Sequence, residues 1–306
     1  MNMKGFKMIQ TANMYVGDIS VIDHCWLGKN GNLIGESLTL SCEIAGEVDA
    51  QEQVVIDFSG CKKEIKKLID DSEHAIDHRM VVVDGFGIYG MQDVKDRDRV
   101  ALDTSTTSVV ASVDDWYQVI PMNGIAAEDA TEEEQYHAHL KAYIEDMLKR
   151  ELIALGYPVT KVVVDLCSNF FLPKAVVSHT TFKYVHGLRS STSYGCQNIA
   201  HGHRSFIATD VEATALLQEI ADFYQGIFAW NENVTVEDPN LVIAYRSLRG
   251  NFRMETTSKV TVFPHETTIE NLASAVEREF GDRLRELGAT RLWVSEGLSK
   301  GAIVEL

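Results

Sequence analysis

The same run of elements reads twice along the chain, and that repeat constrains the fold more than any single motif. In the first half, SLTLSCEIAGEVD (37–49) alternates apolar and polar residues, the period of a half-buried strand. QVVIDF (53–58) follows, and SGCKKEIKKLIDDSEHAID (59–77) places Ile65, Leu68 and Ile69 on one helical face. A second helix is expected over 131–156, opened by Thr131 with Glu134 three residues on and stopped by a glycine. TKVVVDLCSNFFL (160–172) reads as a buried strand. The second half repeats the order. AVVSHTTFKYVHGL (175–188) and HRSFIATDVEA (203–213) read as a strand pair, and 213–226 and 266–288 as helices. TRLWVSEGLSKGAIVEL (290–306) closes with strand-like segments. An internally duplicated α+β chain divided near Pro173 explains this order, with 84–116 as an insertion that fits neither copy.

Composition narrows the function. The 306 residues leave room for two domains, and 45% hydrophobic with 24% charged residues is the balance of a soluble globular protein. No apolar run approaches the roughly 18 residues of a membrane span, and the N-terminus lacks a signal core. Five scattered cysteines without CxxC spacing argue against a disulfide framework and for a reducing, cytoplasmic setting. A net charge of −17 argues against nucleic-acid or anionic-membrane partners, while local Lys and Arg clusters can still hold an anionic small molecule.

The string YGCQNIAHGHRS (194–205) raises the question of a metal. On a strand, residues i and i+2 share a face about 7 Å apart, so His201 and His203 can converge on one ion. Zinc needs a third protein ligand, and an open fourth position makes a catalytic site. His186 on the preceding strand is the first candidate and His179 the reserve. His137 and His139 share the H-x-H spacing, but on an expected helix they point about 200° apart. His74 and His78 have a helical i, i+4 spacing without an acidic or sulfur partner at a matching position.

Together these residues resemble the 6-pyruvoyl/6-carboxy-tetrahydropterin synthases of the tunnelling fold. The family's F-x-x-x-H, cysteine and H-G-H stand here as FKYVH (182–186), Cys196 and HGH (201–203). TIEN (268–271) and Glu296 in WVSEG match its helix start and late-strand glutamate. The second half has no Asp-His pair; the first supplies it as IDH (76–78) within GEVDAQEQVVIDFSGCKKEIKKLIDDSEHAIDHRM (46–80). Where H-G-H should stand, the first half has Gly35-Glu36-Ser37, and Asp165 takes the place of the late glutamate.

The resemblance implies two tandem tunnelling-fold domains, 1–173 and 174–306. Each would be an antiparallel sheet with two helices on one face, assembling into a ring-like barrel, with a trimer of fused pairs as the expected homo-oligomer. It implies zinc on His186, His201 and His203, Cys196 as the base, and Asp77-His78 as a proton relay from the same or a neighbouring chain. Glu296, with Thr268 and Glu270, would bind the substrate. That substrate would be 7,8-dihydroneopterin triphosphate, and the expected product 6-carboxy-5,6,7,8-tetrahydropterin. Formation of 6-pyruvoyl-tetrahydropterin with triphosphate elimination is the alternative, because four residues separate Cys196 from His201 where the two types carry three or five. The pathway, queuosine-type or reduced-pterin, stays open. Lys183, Arg189 and Arg204 flank the motif and are candidates for holding phosphates. A noncatalytic pterin- or zinc-binding homologue is the rival reading, in which Cys196 is a small buried residue and Asp77-His78 a helix C-terminal pair.

Overall fold

The computed structural model describes residues 10–49, 51, 53–87, 89–94 and 99–306. Positions 88 and 95–98 of the 84–116 segment lie outside these residues. So do residues 1–9, on which the expectation of no leader rests. The chain is an α+β protein whose described residues form two compact units, both discontinuous in sequence. One draws its residues from 1–20, 39–74 and 123–167, and the other from 21–38, 75–122 and 168–306.

In the first unit, strand β2 (Leu33–Glu47) contributes its second half and pairs antiparallel with β8 (Val159–Cys167). Helix α1 (Phe58–Asp70) starts at Asp57, whose carboxylate accepts from Gly60 N at 2.7 Å. It buries Cys61, Ile65 and Ile69, which fall one helical turn apart. Helix α2 (Glu132–Ala154) has the expected Thr131/Glu134 capping box and packs on β8. It ends ahead of Gly156, whose φ of +91° is glycine's to take.

The expected helix over 59–77 stops at Asp70. Ser72 Oγ turns back to bond Leu68 O at 2.6 Å, the competition with the helical ladder that short hydroxyl side chains offer. Asp77 and His78 therefore sit in a turn of the second unit rather than at a helix end.

The second unit holds a six-stranded sheet. Its strands are β9 (Ser178–His186), β10 (His201–Thr209), β11 (Gly226–Trp230), β15 (Val260–Phe263), β16 (Arg291–Glu296) and β17 (Lys300–Glu305). They lie side by side in the order β15-β11-β9-β10-β16-β17. Helices α3 (Thr214–Phe223) and α4 (Ile269–Glu286) cover one face. There Phe182, Tyr184, Ile207, Leu292 and Val294 meet Leu217, Ile220, Leu272, Val276 and Leu284 in one core.

The sheet is mixed rather than purely antiparallel. After β10 the chain passes through α3, which packs on β9, and β11 re-enters beyond β9, parallel to it and to β15. The first half repeats this: β3 (Met80–Val83) runs parallel to both β1 (Thr11–Leu27) and β7 (Tyr117–Ile120).

The 84–116 segment has a counterpart. Its strands β4 (Gly90–Val94), β5 (Arg99–Asp103) and β6 (Thr107–Ala111) join β12 (Val234–Glu237), β13 (Asn240–Arg246) and β14 (Asn251–Thr256) in one sheet. Each half thus carries three extra strands at the same point in its order, and β14 pairs antiparallel with β6 along Phe252–Ala111 to Thr256–Thr107. Leu102, Val109, Ile243, Phe252 and Met254 from this sheet share a core with Val185, Ile199, Met80 and Trp116. Among the described residues no helix is long and apolar enough to cross a membrane.

Candidate active site

Strand alternation puts His186 on the same face as Phe182 and Tyr184, and His201 and His203 on the face of Ile207. This is the helix-covered side of the sheet. Register then brings them together, because His201 stands directly opposite His186 and His203 opposite Tyr184. The three ring centroids lie 4.5, 5.2 and 5.3 Å apart, and all three side chains are buried. Gly202 between them is required by space: a Cβ there would lie 2.6 Å from both Gly35 Cα and Tyr184 O. His179, the reserve ligand, falls opposite Ala208, far along the strand pair from His201.

The donor set fits a metal ion that favours imidazole. One nitrogen from each ring can be chosen so that all three lie within 4.8 Å of one another. The Nε2 atoms of His186, His201 and His203 are buried without a hydrogen-bond partner. The opposite edges of the rings face protein acceptors. His186 Nδ1 is 3.0 Å from Thr267 Oγ1 and 3.1 Å from Thr267 O, and His201 Nδ1 is 2.9 Å from Asn198 O. His203 Nδ1 is 3.2 Å from Asp23 Oδ1, off the line of a well-aligned hydrogen bond. The hydrogen bonds at Nδ1 of His186 and His201 favour the tautomer that leaves Nε2 for a metal. Burial, then the neighbouring His203, pushes His186 down to about 3. His201 is held well below the ordinary histidine range by burial and then by His186. Neutral rings are the ligating form.

Cys196 sits beside this cluster in a short 3-10 turn, Gly195–Gln197. Its Sγ is 3.5 Å from His78 Nε2, and His78 Nδ1 is 2.7 Å from Asp77 Oδ2. The His78 ring also lies 5.2 Å from that of His201. One chain therefore brings together Asp77, His78, Cys196 and the three histidines. Burial opposes charge on His78, but the Asp77 hydrogen bond, then Cys196, outweighs it and raises His78 to about 10. Burial likewise works against a Cys196 thiolate, yet bonding to His78 and the charge of its ring bring the thiol below its ordinary value. Each of the two groups thus favours the charged form of the other.

His78 reaches this position with φ of +54°, a conformation that costs a non-glycine residue about 1 kcal/mol or more. It is held there by His78 N–H donating to Asp23 O at 2.7 Å, while Asp23 N–H donates to Asp77 Oδ1 at 2.8 Å.

Glu296 ends β16. Val294 stands opposite Ile207, so Glu296 lies two residues farther along the same face, toward His203. Burial raises its pKa, but the neighbouring His203 and Lys300 lower it overall, and its Oε1 is 2.9 Å from Lys300 Nζ. Thr268 and Glu270 are placed differently from the other expected residues. Thr268 caps α4, accepting from Asn271 N at 3.4 Å, and Glu270 is exposed in the first turn. Among the described residues, no hydrogen bond or ion pair links either one to the histidines.

The cations considered for phosphates are engaged elsewhere. Lys183 Nζ lies 2.7 Å and Arg204 Nη1 3.6 Å from the fully buried Glu36. Arg189 stacks over Trp230 at 4.2 Å and bonds Asn233 and Glu232.

Several residues that shape the site had no signal in the spacing. Besides Asp23, Asn198, Thr267 and Lys300, the buried Arg249 braces the cysteine turn. It donates to Tyr194 O, Gly195 O and Asp115 O at 3.4, 3.3 and 2.7 Å, with Asp115 Oδ1 at 3.2 Å. Its backbone N–H donates to Gln197 Oε1, and Tyr245 OH to Gln197 O. Asn198 Nδ2 ties the same turn to His78 O and Trp116 O. The extra strands thus supply the support of the Cys196 turn.

No protein-family model and no curated protein matches the chain in sequence. Among solved structures, the chain is similar to 6-pyruvoyltetrahydropterin synthases of malaria parasites. The Plasmodium vivax protein, in the form of a catalytic residue mutant, shares 17% identity at a TM-score of 0.37, over 52% of this chain and 92% of the other. The 2.2 Å P. vivax structure gives 17% and 0.33, over 52% and 91%. The Plasmodium falciparum protein gives 16% and 0.31, over 52% and 91%. The likeness spans about half of this chain.

Proposed function

We propose that this chain is a zinc-dependent lyase that converts 7,8-dihydroneopterin triphosphate to 6-carboxy-5,6,7,8-tetrahydropterin. The observation that carries the reading is the meeting of three buried, unpartnered histidine Nε2 atoms with a Cys196–His78–Asp77 chain in one chain's fold. His186, His201 and His203 are the ligands. Zinc on three histidines with an open position would supply a Lewis acid for the substrate's side-chain hydroxyls.

Cys196, as thiolate, takes the proton from the carbon beside the ring imine, and charged His78 stands 3.5 Å away to stabilise the thiolate and relay protons. Asp77 holds the His78 ring through Nδ1. Glu296 accepts from the ring N–H and amino groups of the pterin, a bidentate match that fixes the ring in the site. The carboxy product requires loss of the triphosphate and of acetaldehyde; retention of the side chain gives the pyruvoyl product.

Incubating the zinc-loaded protein with 7,8-dihydroneopterin triphosphate and weighing the product by mass spectrometry tests the reading. Consumption to the carboxy mass is expected, the pyruvoyl mass replaces the product assignment, and zinc binding without consumption leaves a pterin or zinc binder.

The assignment extends to organisation. Residues 1–173 and 174–306 descend from two copies that kept complementary parts of one site, and the protein works in the cytoplasm. The terminal strands β15 and β17 of the six-stranded sheet leave edges on which three chains can close a ring. Light scattering should give three times the chain mass, and a monomer sinks the ring.

A further inference from the structure

We propose that Asp23 is a positioning residue that orients the metal ligand His203 and, through Lys300, the Glu296 carboxylate. The proposal rests on reading His186, His201 and His203 as a metal centre. It adds a fourth side chain, which the motif spacing does not contain.

Asp23 lies on β1, its side chain 5% exposed, and each end of its carboxylate has a purpose. Oδ1 accepts from Ser37 Oγ at 2.5 Å and stands 3.2 Å from His203 Nδ1. Oδ2 stands 3.4 Å from Lys300 Nζ, whose other partner is Glu296. Room for the carboxylate depends on Gly297, where a Cβ would come within 2.7 Å of Oδ1. The backbone of Asp23 holds the relay, through Asp23 N to Asp77 Oδ1 and His78 N to Asp23 O. One residue therefore touches the metal ligand, the ring anchor's lysine and the relay.

A buried carboxylate is kept only where its partners compensate for lost hydration. Here those partners are one hydroxyl, one ring nitrogen of a ligand and one ammonium. A carboxylate behind a ligating histidine favours the Nδ1–H tautomer and leaves Nε2 for the metal. Sharing that carboxylate with Lys300 ties the direction of Glu296 to the ligand set.

The test is zinc affinity of the full chain, measured by chelator competition for the natural protein and Asp23→Asn. Affinity should fall roughly 10–100-fold in the variant. The alkylation rate of Cys196 should stay within about twofold, because the relay is held by the Asp23 backbone rather than its side chain. Zinc affinity within about threefold of the natural protein overturns the assignment.

If Asp23→Asn loses its folded circular-dichroism signature, histidine-selective 15N NMR of the metal-free natural protein decides. A His203 ring carrying its proton on Nδ1 supports the role, and one carrying it on Nε2 overturns it. Pterin turnover is read separately. A protein that binds zinc and consumes no pterin overturns the proposed function and leaves the Asp23 assignment standing.

Discussion

Adding one methyl group at Gly195 tests the link between the relay and the cysteine. A Cβ at this position would lie 2.7 Å from His78 Cγ, 2.9 Å from His78 Cβ and 3.0 Å from His78 Cδ2. Carbon atoms settle at about 3.5–4.0 Å, so one partner must withdraw by about 1 Å. The turn cannot yield freely, because Arg249 grips the carbonyls of Tyr194 and Gly195. The imidazole therefore swings, and the 3.5 Å contact between His78 Nε2 and Cys196 Sγ opens past hydrogen-bond reach.

Burial is then left to dominate the thiol, and the thiolate loses its counter-charge. Gly195→Ala should slow alkylation of Cys196 by iodoacetamide at pH about 7.5 roughly tenfold. It should cut turnover by about 10²–10⁴, the share typical of a positioned acid–base group. Zinc should still bind, since the three ligands lie on β9 and β10. Alkylation and turnover both within about threefold of the natural protein would refute the coupling of His78 to the thiolate.

Other outcomes follow from the same geometry. Metal analysis of the purified protein should find one zinc per chain, removed by a strong chelator and absent in His186→Ala; two per chain would contradict a single site. Arg249→Met strands buried carbonyls and removes charge-assisted hydrogen bonds, so urea unfolding should show a loss of about 2–3 kcal/mol. A loss below about 0.5 kcal/mol would show that Arg249 does not brace the turn. Asp210 accepts from Thr290 N, Thr290 Oγ1 and Arg291 N. Slight burial opposes its charge, but these bonds bring it from an ordinary 3.8 down to about 2. A depressed carboxylate stabilises the fold above its unfolded pKa and ceases to as pH falls through the folded one. The Tm difference between the natural protein and Asp210→Asn should therefore be full above pH about 4 and gone near pH about 2. A difference independent of pH would contradict this.

Local pattern made the sheet and the convergence of its three histidines legible. The alternation at 175–188 and 203–213 marks β9 and β10, and the two-residue period puts His201 and His203 on one face with His186 across from them. Helix α2 is announced by its capping box. What stayed hidden depends on chain segments far apart in sequence. Nothing near Asp23 shows that its carboxylate will stand behind His203, nor does Arg249 announce that it will clasp the Cys196 turn. The end of α1 is misread because Ser72 and Ile76 extend the helical spacing of Ile65 and Ile69 past the residue where side-chain bonding stops it. The three-strand segment of the first half looks unmatched because its counterpart at 234–256 is equivalent in pairing, not in motif.

The six-stranded sheet shared by the two extra segments also dictates the order in which the site can assemble. The three histidines are close in sequence, and His201 finds its acceptor Asn198 only three residues away. The relay instead joins residues 118 apart, Arg249 reaches Asp115 across 134, and Thr107 meets Thr256 across 149. Loop-closure entropy makes such distant pairings late. A chain emerging from the ribosome thus forms the β9–β10 hairpin that carries the three histidines early. The contacts that hold His78 and the Cys196 turn in place form only when the segment around Arg249 has closed on Asp115.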